Sequence, residues 1–352
     1  IISNYPIIGG IEMKTETNAY QEATKSFLKN FDIFWTDTIN SIGLDSAQLK
    51  IGNRLRPQIC FWGYLATVNS YDVATHDYNH IARIAVSIEL VHKASLLIDD
   101  WIDDDSERHG NPSFHIEYSP QQAVLCALNM IGCAMDRLES AFTGDIVLPH
   151  NYYLCLKAVL KTVCSMAKGA LEELRLEEAE FFNSEKIREI TRLETSEIIE
   201  NSLLLGYYAG AGKNVNPEIE KRFKVIGDKC GYLFQAFNDL EAYVSPNKLM
   251  EHKGELNFDF QSKRKNLAVA TLYELASIRD REVLINSNQA TLLKLMKKYK
   301  VIDTMRRELK NVYLDLMDSC KMDSTYGISE SWVSGFQNFM ELVKKFAEDR
   351  LQ

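Results

Sequence analysis

An apolar helical stripe that runs without interruption into a block of aspartates constrains this chain more than any other feature. Ile81, Ile84, Ala85, Ile88, Val91, Ala94, Leu97 and Ile98 recur at helical spacing. The next seven residues, 99–105, contain five aspartates. Asp99 and Asp103 are four apart, so on a continuing helix their carboxylates share a face, with Asp100 beside them. Like charges at that spacing repel, and negative charge at a helix C-terminus opposes the macrodipole. The block is therefore destabilising unless a cation sits on it. A hard divalent ion such as Mg2+, shared between one or two carboxylates and substrate phosphate oxygens, meets that need. A solvated acidic loop is the plainer alternative.

Composition narrows the frame. The chain has 352 residues, 46% of them hydrophobic, enough for a substantial buried core. A net charge of −9 with no basic stripe argues against nucleic acid as a partner. The seven cysteines show no CxxC spacing and fall mostly in apolar helical stretches, as in a reduced, cytoplasmic protein. No apolar run reaches the 18 or so residues that a membrane span needs. Residues 1–15 lack periodicity and read as a flexible leader, with 16–352 forming one domain.

Helical spacing covers roughly 19–42, 54–70, 78–98, 119–143, 150–182, 185–211, 216–243, 264–277, 289–320 and 331–350. The expected fold is all-α, a single large helical bundle around a central cavity. Segment 119–136 is apolar almost all round, which predicts a helix buried on every side, in the core or at a subunit interface.

A second polar element ends the helix predicted over 216–243. Asn238 and Asp239 are placed to face the first cluster, and Glu241 shares part of their face. Lys263-Arg264-Lys265 then opens the next helix with positive charge, against the dipole preference. Two oxygen-ligand clusters and a basic clamp form a logical set for holding a diphosphate.

Five ordered blocks carry a resemblance to the trans-isoprenyl diphosphate synthases (polyprenyl synthetases), running from about residue 50 to 280. Gly52-Asn-Arg-Leu-Arg-Pro57 resembles the family's Gly-Lys-Arg-Leu-Arg-Pro. Glu89-Leu-Val-His92 precedes the first motif as in the family, and Asp99-Asp-Trp-Ile-Asp103 matches the first Asp-Asp-x-x-Asp. Arg108-His-Gly110 falls where the family has Arg-Arg-Gly. Gly231-Tyr-Leu-Phe-Gln-Ala-Phe-Asn-Asp239 matches the helix with the second aspartate motif. The resemblance implies the isoprenoid synthase fold, a homodimer and up to three Mg2+ ions gripping an allylic prenyl diphosphate. It implies catalytic roles for Asp99, Asp100, Asp103 and Asp239. Metal ligation falls to Asp99, Asp103, Asn238 and Asp239, with Glu241 as a further candidate. Diphosphate contacts fall to Arg108, Thr195, Gln235, Arg264 and Lys265. The acceptor side comprises Asn53, Arg56, His92 and His109, and the residues forming the chain-length floor are Ala94 and Ser95.

The departures from the family pattern are as informative. Asn53 replaces a lysine and His109 an arginine, both on the side implied for isopentenyl diphosphate. Asn238 and Ala242 replace acids of the second motif, Ala170 a glutamine, Glu194 the lysine of a Lys-Thr pair, and Arg264 a clamp lysine. Glu173 persists. The eroded acceptor side leads to the expectation that isopentenyl diphosphate is a poor substrate. Three readings follow. The first is a prenyltransferase using isopentenyl diphosphate or a non-standard acceptor, with an allylic partner of about C15–C20 or longer. The second is a terpene synthase on the same scaffold. The third is a non-catalytic regulatory subunit of a synthase.

Overall fold

The periodic stretches become helices in a computed structural model that describes residues 15–43, 47–68, 77–142, 149–178, 183–244, 265–285, 289–321 and 327–350. The expectation for residues 1–15 falls almost wholly outside these. In chain order the helices are α1 (Thr15–Ile42), α2 (Leu55–Leu65), α3 (Asn79–Ile102), the short α4 (Phe114–Glu117), α5 (Pro120–Ala141), α6 (His150–Glu178) and α7 (Ser184–Thr191). They continue with α8 (Glu197–Ala211), α9 (Pro217–Val244), α10 (Leu267–Leu275), α11 (Ile278–Ile285), α12 (Gln289–Lys298), α13 (Val301–Ser319) and α14 (Glu330–Arg350). The only strands among the described residues are β1 (Glu107–Arg108) and β2 (Asn111–Pro112), so the protein is all-α as expected.

Local chemistry sets several helix starts. Ser119 accepts from the Gln122 amide at 3.2 Å with Pro120 at the first helical position, and Asn183 accepts from the Lys186 amide at 2.9 Å. The apolar stripe on α3 is buried from Ile81 to Leu97, against α1, α2, α5 and α8. α2 and α8 touch backbone to backbone, because a Cβ on Gly206 would lie 1.7 Å from the Cys60 carbonyl oxygen. One contiguous apolar core runs from Tyr20 to Met340, and Trp332 of α14 donates its indole N–H to the Trp62 carbonyl at 2.9 Å. No helix among the described residues is long and apolar enough to cross a membrane. All seven cysteines are unbridged.

Three expectations need correction. The stretch 289–320 is two helices, divided where Lys300 turns left-handed at φ 51°. α11 was not expected. The helix read over 185–211 contains a wider π turn at Arg192–Ser196. α5, read as buried in the core or at a subunit interface, exposes Leu125 and Leu128 in this single chain, as a helix at an interface would.

Candidate active site

The acidic end of α3 keeps its helical register through the first motif. Asp103 caps the helix, its amide donating to the Asp99 carbonyl at 2.8 Å, so the two carboxylates emerge one turn apart. Asp100 points elsewhere. It is fully buried and accepts from Arg108 Nε at 2.7 and 2.8 Å, with a further bond from Arg108 Nη2. A two-residue hairpin brings Arg108 back over α3: Glu107 pairs with Pro112 and Arg108 with Asn111. His109 and Gly110 form its turn, both at positive φ (53° and 71°), which is the twist a tight antiparallel hairpin prefers. Burial works against the Arg108 charge, but Asp100, Asp105 and Asp99 outweigh it and hold the guanidinium more firmly protonated than usual. Arg108 and Asp100, both expected at the substrate, therefore meet each other first.

The π turn faces this end from α7–α8. Such one-residue expansions recur at functional sites, because they re-aim side chains that a regular helix would not. Here the turn presents Glu194 and Thr195. A Cβ on Gly169 of α6 would fall 2.3 Å from Glu194 Cγ, so the glycine lets the two helices close on that side chain. Burial, and then the charges of Glu173, Asp99 and Asp239, push the Glu194 carboxyl up to about 9. Four carboxylates on four elements thus act on one another at one place.

Asp239 is held rigidly within that group. Its Oδ2 accepts from the Leu267 amide at 2.9 Å, at the start of α10, where a carboxylate suits the helix dipole. Its Oδ1 accepts from Gln235 Nε2 at 2.9 Å, and Thr195 Oγ1 donates to Gln235 Oε1 at 3.0 Å. Thr195 and Gln235, expected to contact diphosphate, are engaged in orienting Asp239. Asn266 caps α10 through the Val269 amide at 3.0 Å, and Lys265 donates to the Leu176 carbonyl at 2.6 Å, tying the same segment to α6. Asn238 is exposed on α9, whereas Asp239 and Glu241 are buried. Arg264 lies outside the described residues.

A positive side adjoins the acidic one. Arg56 at the start of α2 and Lys93 on α3 both bear on Glu89, which is buried; burial pushes the Glu89 carboxyl up while Arg56, Lys93 and Arg54 pull it down. Burial first, then Arg56, Lys93 and Arg108, hold His92 well below its usual value, so it is neutral at physiological pH. Asn53 and His109 are exposed. Asn53 Oδ1 accepts from the Leu55 amide at 3.2 Å and so starts α2, while Arg54 makes a two-pronged pair with Asp32 of α1 at 2.7 and 2.9 Å. Sequence reasoning missed Lys93. Its signal was a cation four residues after Glu89 on an otherwise apolar helix. Below Asp99 on α3, Ser95 is half-buried with its Oγ donating to the His92 carbonyl at 2.9 Å, and Ala94 is enclosed.

The donor set fits a magnesium ion held jointly with a ligand. A carboxylate forced toward protonation by burial and by its acidic neighbours marks a place short of positive charge. Among the described residues no three acidic, imidazole or thiol groups converge tightly enough to hold an ion by themselves. Mg2+ commonly takes one or two carboxylates and completes its shell with water and phosphate oxygens, so this spread arrangement suits it.

The profile of the polyprenyl synthetase family matches residues 44–305. Geranylgeranyl diphosphate synthase of Saccharolobus solfataricus is 22% identical over 236 residues, covering 67% of either chain, so the match spans about two thirds of that relative's length. The crystal structure of geranylgeranyl pyrophosphate synthetase from Pyrococcus horikoshii superposes with a TM-score of 0.73 at 22% identity, over 94% of this chain and 97% of that one. That of geranylgeranyl pyrophosphate synthase from Corynebacterium glutamicum, complexed with isoprenyl diphosphate and magnesium, gives 0.72 at 16% identity, over 93% and 98%. The chain belongs to the polyprenyl synthetase family, and so to the prenyltransferases.

Proposed function

We propose that this protein is a Mg2+-dependent prenyltransferase that ionises an allylic diphosphate of about C15–C20 or longer and joins the prenyl group to an acceptor. The convergence of Asp99, Glu173, Glu194 and Asp239 carries the reading: with Asp239 buried and the other three half-buried, so many acidic side chains acting on one another have no structural use without cations between them and a polyanionic ligand. Mg2+ bound there would neutralise the leaving diphosphate as a Lewis acid. Asp99 and Asp103, one turn apart, and the immobilised Asp239 would hold the metal ions that bind the diphosphate. Arg108, fixed by Asp100, keeps its positive charge beside Asp99 throughout. In the reaction the C1–O bond of the allylic diphosphate breaks and its electron pair leaves with the diphosphate. An electron pair from the acceptor's double bond forms the new C–C bond, and a proton is lost from the adjacent carbon. Ser95 and Ala94 are small, which leaves the turn below Asp99 without an aromatic stop and supports a long tail. The unbridged cysteines suit a cytoplasmic setting, and the exposed leucines of α5 suit a homodimer.

The test is incubation with Mg2+ and C10, C15 or C20 allylic diphosphates, with and without isopentenyl diphosphate, followed by mass analysis of diphosphate and hydrocarbon products. Elongated diphosphates are expected, and Asp99→Ala is expected to abolish them without lowering the melting temperature. Hydrocarbons formed without any acceptor would indicate a terpene synthase instead. Full activity of Asp99→Ala would refute the metal assignment.

A further inference from the structure

The π turn that aims Glu194 and Thr195 is closed by charged residues assigned to neither metal nor substrate. Arg192 opens the turn and Glu197 follows it, the Glu197 amide donating to the Arg192 carbonyl to close the wider ring. The side chains of the same two residues also pair, with Arg192 Nη2 at 3.4 Å from Glu197 Oε1. Residues five apart on a regular helix point about 140° away from each other, so this pair closes only across the expanded turn. Lys161 of α6 takes the other oxygen: its Nζ donates to Glu197 Oε2 at 2.6 Å and to Glu200 Oε1 at 3.3 Å. Both glutamates are buried, at 5% and 2% exposed. Burial opposes the Lys161 charge, but Glu197 and Glu200 outweigh it and hold the ammonium more firmly protonated than usual. Two apolar side chains would fill this space with less desolvation, so stability alone does not account for the ion set.

Packing decides where any movement of the turn would fall. α8 itself is clamped: a Cβ on Gly63 of α2 would lie 1.9 Å from the Leu203 carbonyl oxygen, and one on Gly227 of α9 2.4 Å from Glu200 Cα. Gly231 brings the α9 backbone against the turn as well, where a Cβ would lie 2.3 Å from Ser196 Cα. Relaxation toward regular helix therefore falls on the N-terminal side, by about 100° for the one residue removed. Glu194 and Thr195 would be re-aimed with it. Thr195 would then lose its bond to Gln235, whose amide orients Asp239. We propose that Lys161, Glu197 and Arg192 form an ionic latch that holds the π turn in register and thereby positions Thr195 and Glu194. They are positioning residues, each acting through the turn. Their service to catalysis rests on the prenyltransferase reading above, whereas their hold on the turn does not.

Two measurements on the full chain test the latch. The first needs no ligand: hydrogen exchange, read by mass spectrometry, of the peptide covering residues 190–199. Glu197→Gln, which keeps the shape and removes the charge, should speed exchange there roughly fivefold or more, the weight of one such pair lost from a local opening. Lys161→Met should do the same, and Lys161→Arg, which keeps the charge, should stay within about twofold of wild type. The second is isothermal titration with inorganic pyrophosphate in the presence of Mg2+. Glu197→Gln and Thr195→Val should each weaken binding roughly fivefold or more, and the double variant should be no worse than Thr195→Val alone. Such non-additivity separates action through Thr195 from a general loss of packing, whose effects would add. Unchanged exchange in the loss variants, equal pyrophosphate binding by Glu197→Gln and wild type, or additive losses overturns the proposal. Failure of the prenyltransferase reading looks different: wild type neither binds pyrophosphate nor consumes any allylic diphosphate, while the exchange results stand and uphold the latch.

Discussion

Glu194 shows what one residue contributes to this site. Its carboxyl rises from an ordinary value near 4.5 to about 9 through burial and three acidic neighbours. Below the lower value it is neutral in folded and unfolded chains alike. Between the two, only the unfolded chain releases the proton, so stability present at low pH is lost as pH climbs toward 9. In EDTA the melting temperature should therefore fall between about pH 5 and pH 9, and Glu194→Gln should flatten that fall. Glu89 slopes in the same direction, so the difference between the two proteins isolates Glu194. Parallel curves would mean that Glu194 does not face the other acids. Residue-level legibility was uneven. The four-residue spacing of Asp99 and Asp103 dictates their shared face, and the structure keeps it. The Asp100–Arg108 pair was hidden because it depends on a hairpin that doubles the chain back over α3. Lys93 was hidden because no motif includes it, although its spacing from Glu89 was visible.

At the scale of elements, α9 and α10 meet through a single carboxylate. Asp239 accepts from Gln235 of its own helix and from the first amide of α10, so one side chain serves as proposed metal ligand and as helix cap. The two roles separate by substitution. Asp239→Ala leaves both donors without their acceptor and should cost about 1–3 kcal/mol in urea unfolding. Asp239→Asn keeps one acceptor oxygen, so its stability loss should be smaller, yet it removes the charge and should depress turnover as severely as alanine does. An asparagine variant with wild-type activity would remove Asp239 from the catalytic acids. Element boundaries were legible where side chains punctuate the chain, as at Ser119-Pro120, and illegible where they do not. The division between α12 and α13 falls at Tyr299-Lys300 without glycine or proline, so apolar spacing reads straight through it. The π turn adds a residue to one helical turn inside an otherwise regular pattern, a shift too local for periodicity to register.

For the whole molecule, the all-α bundle was readable because helical spacing fills nearly the entire chain, and one uncovered surface bears on assembly. α5 was expected to be enclosed in the core or at a subunit interface, and Leu125 is 65% and Leu128 60% exposed in the single chain. Both lie on one outer stripe of α5 with Gly132, which offers no side chain to obstruct a close helix approach. Leu160 and Leu171 of α6, the next helix in the chain, are also exposed. A large apolar side chain gains about 1.5–3 kcal/mol when buried, so two leucines from each of two protomers can supply much of what a stable pair requires. An isologous contact places the same patch on both sides, which fits a surface whose only evident need is cover. Light scattering after gel filtration at micromolar concentration should give a dimer for the wild type. Leu125→Glu combined with Leu128→Lys should give a monomer that keeps its helical circular dichroism. A monomeric wild type would end the assignment. A dimer that survives both substitutions would place the contact on another face, and the exposed stripe of α5 would then need a different partner.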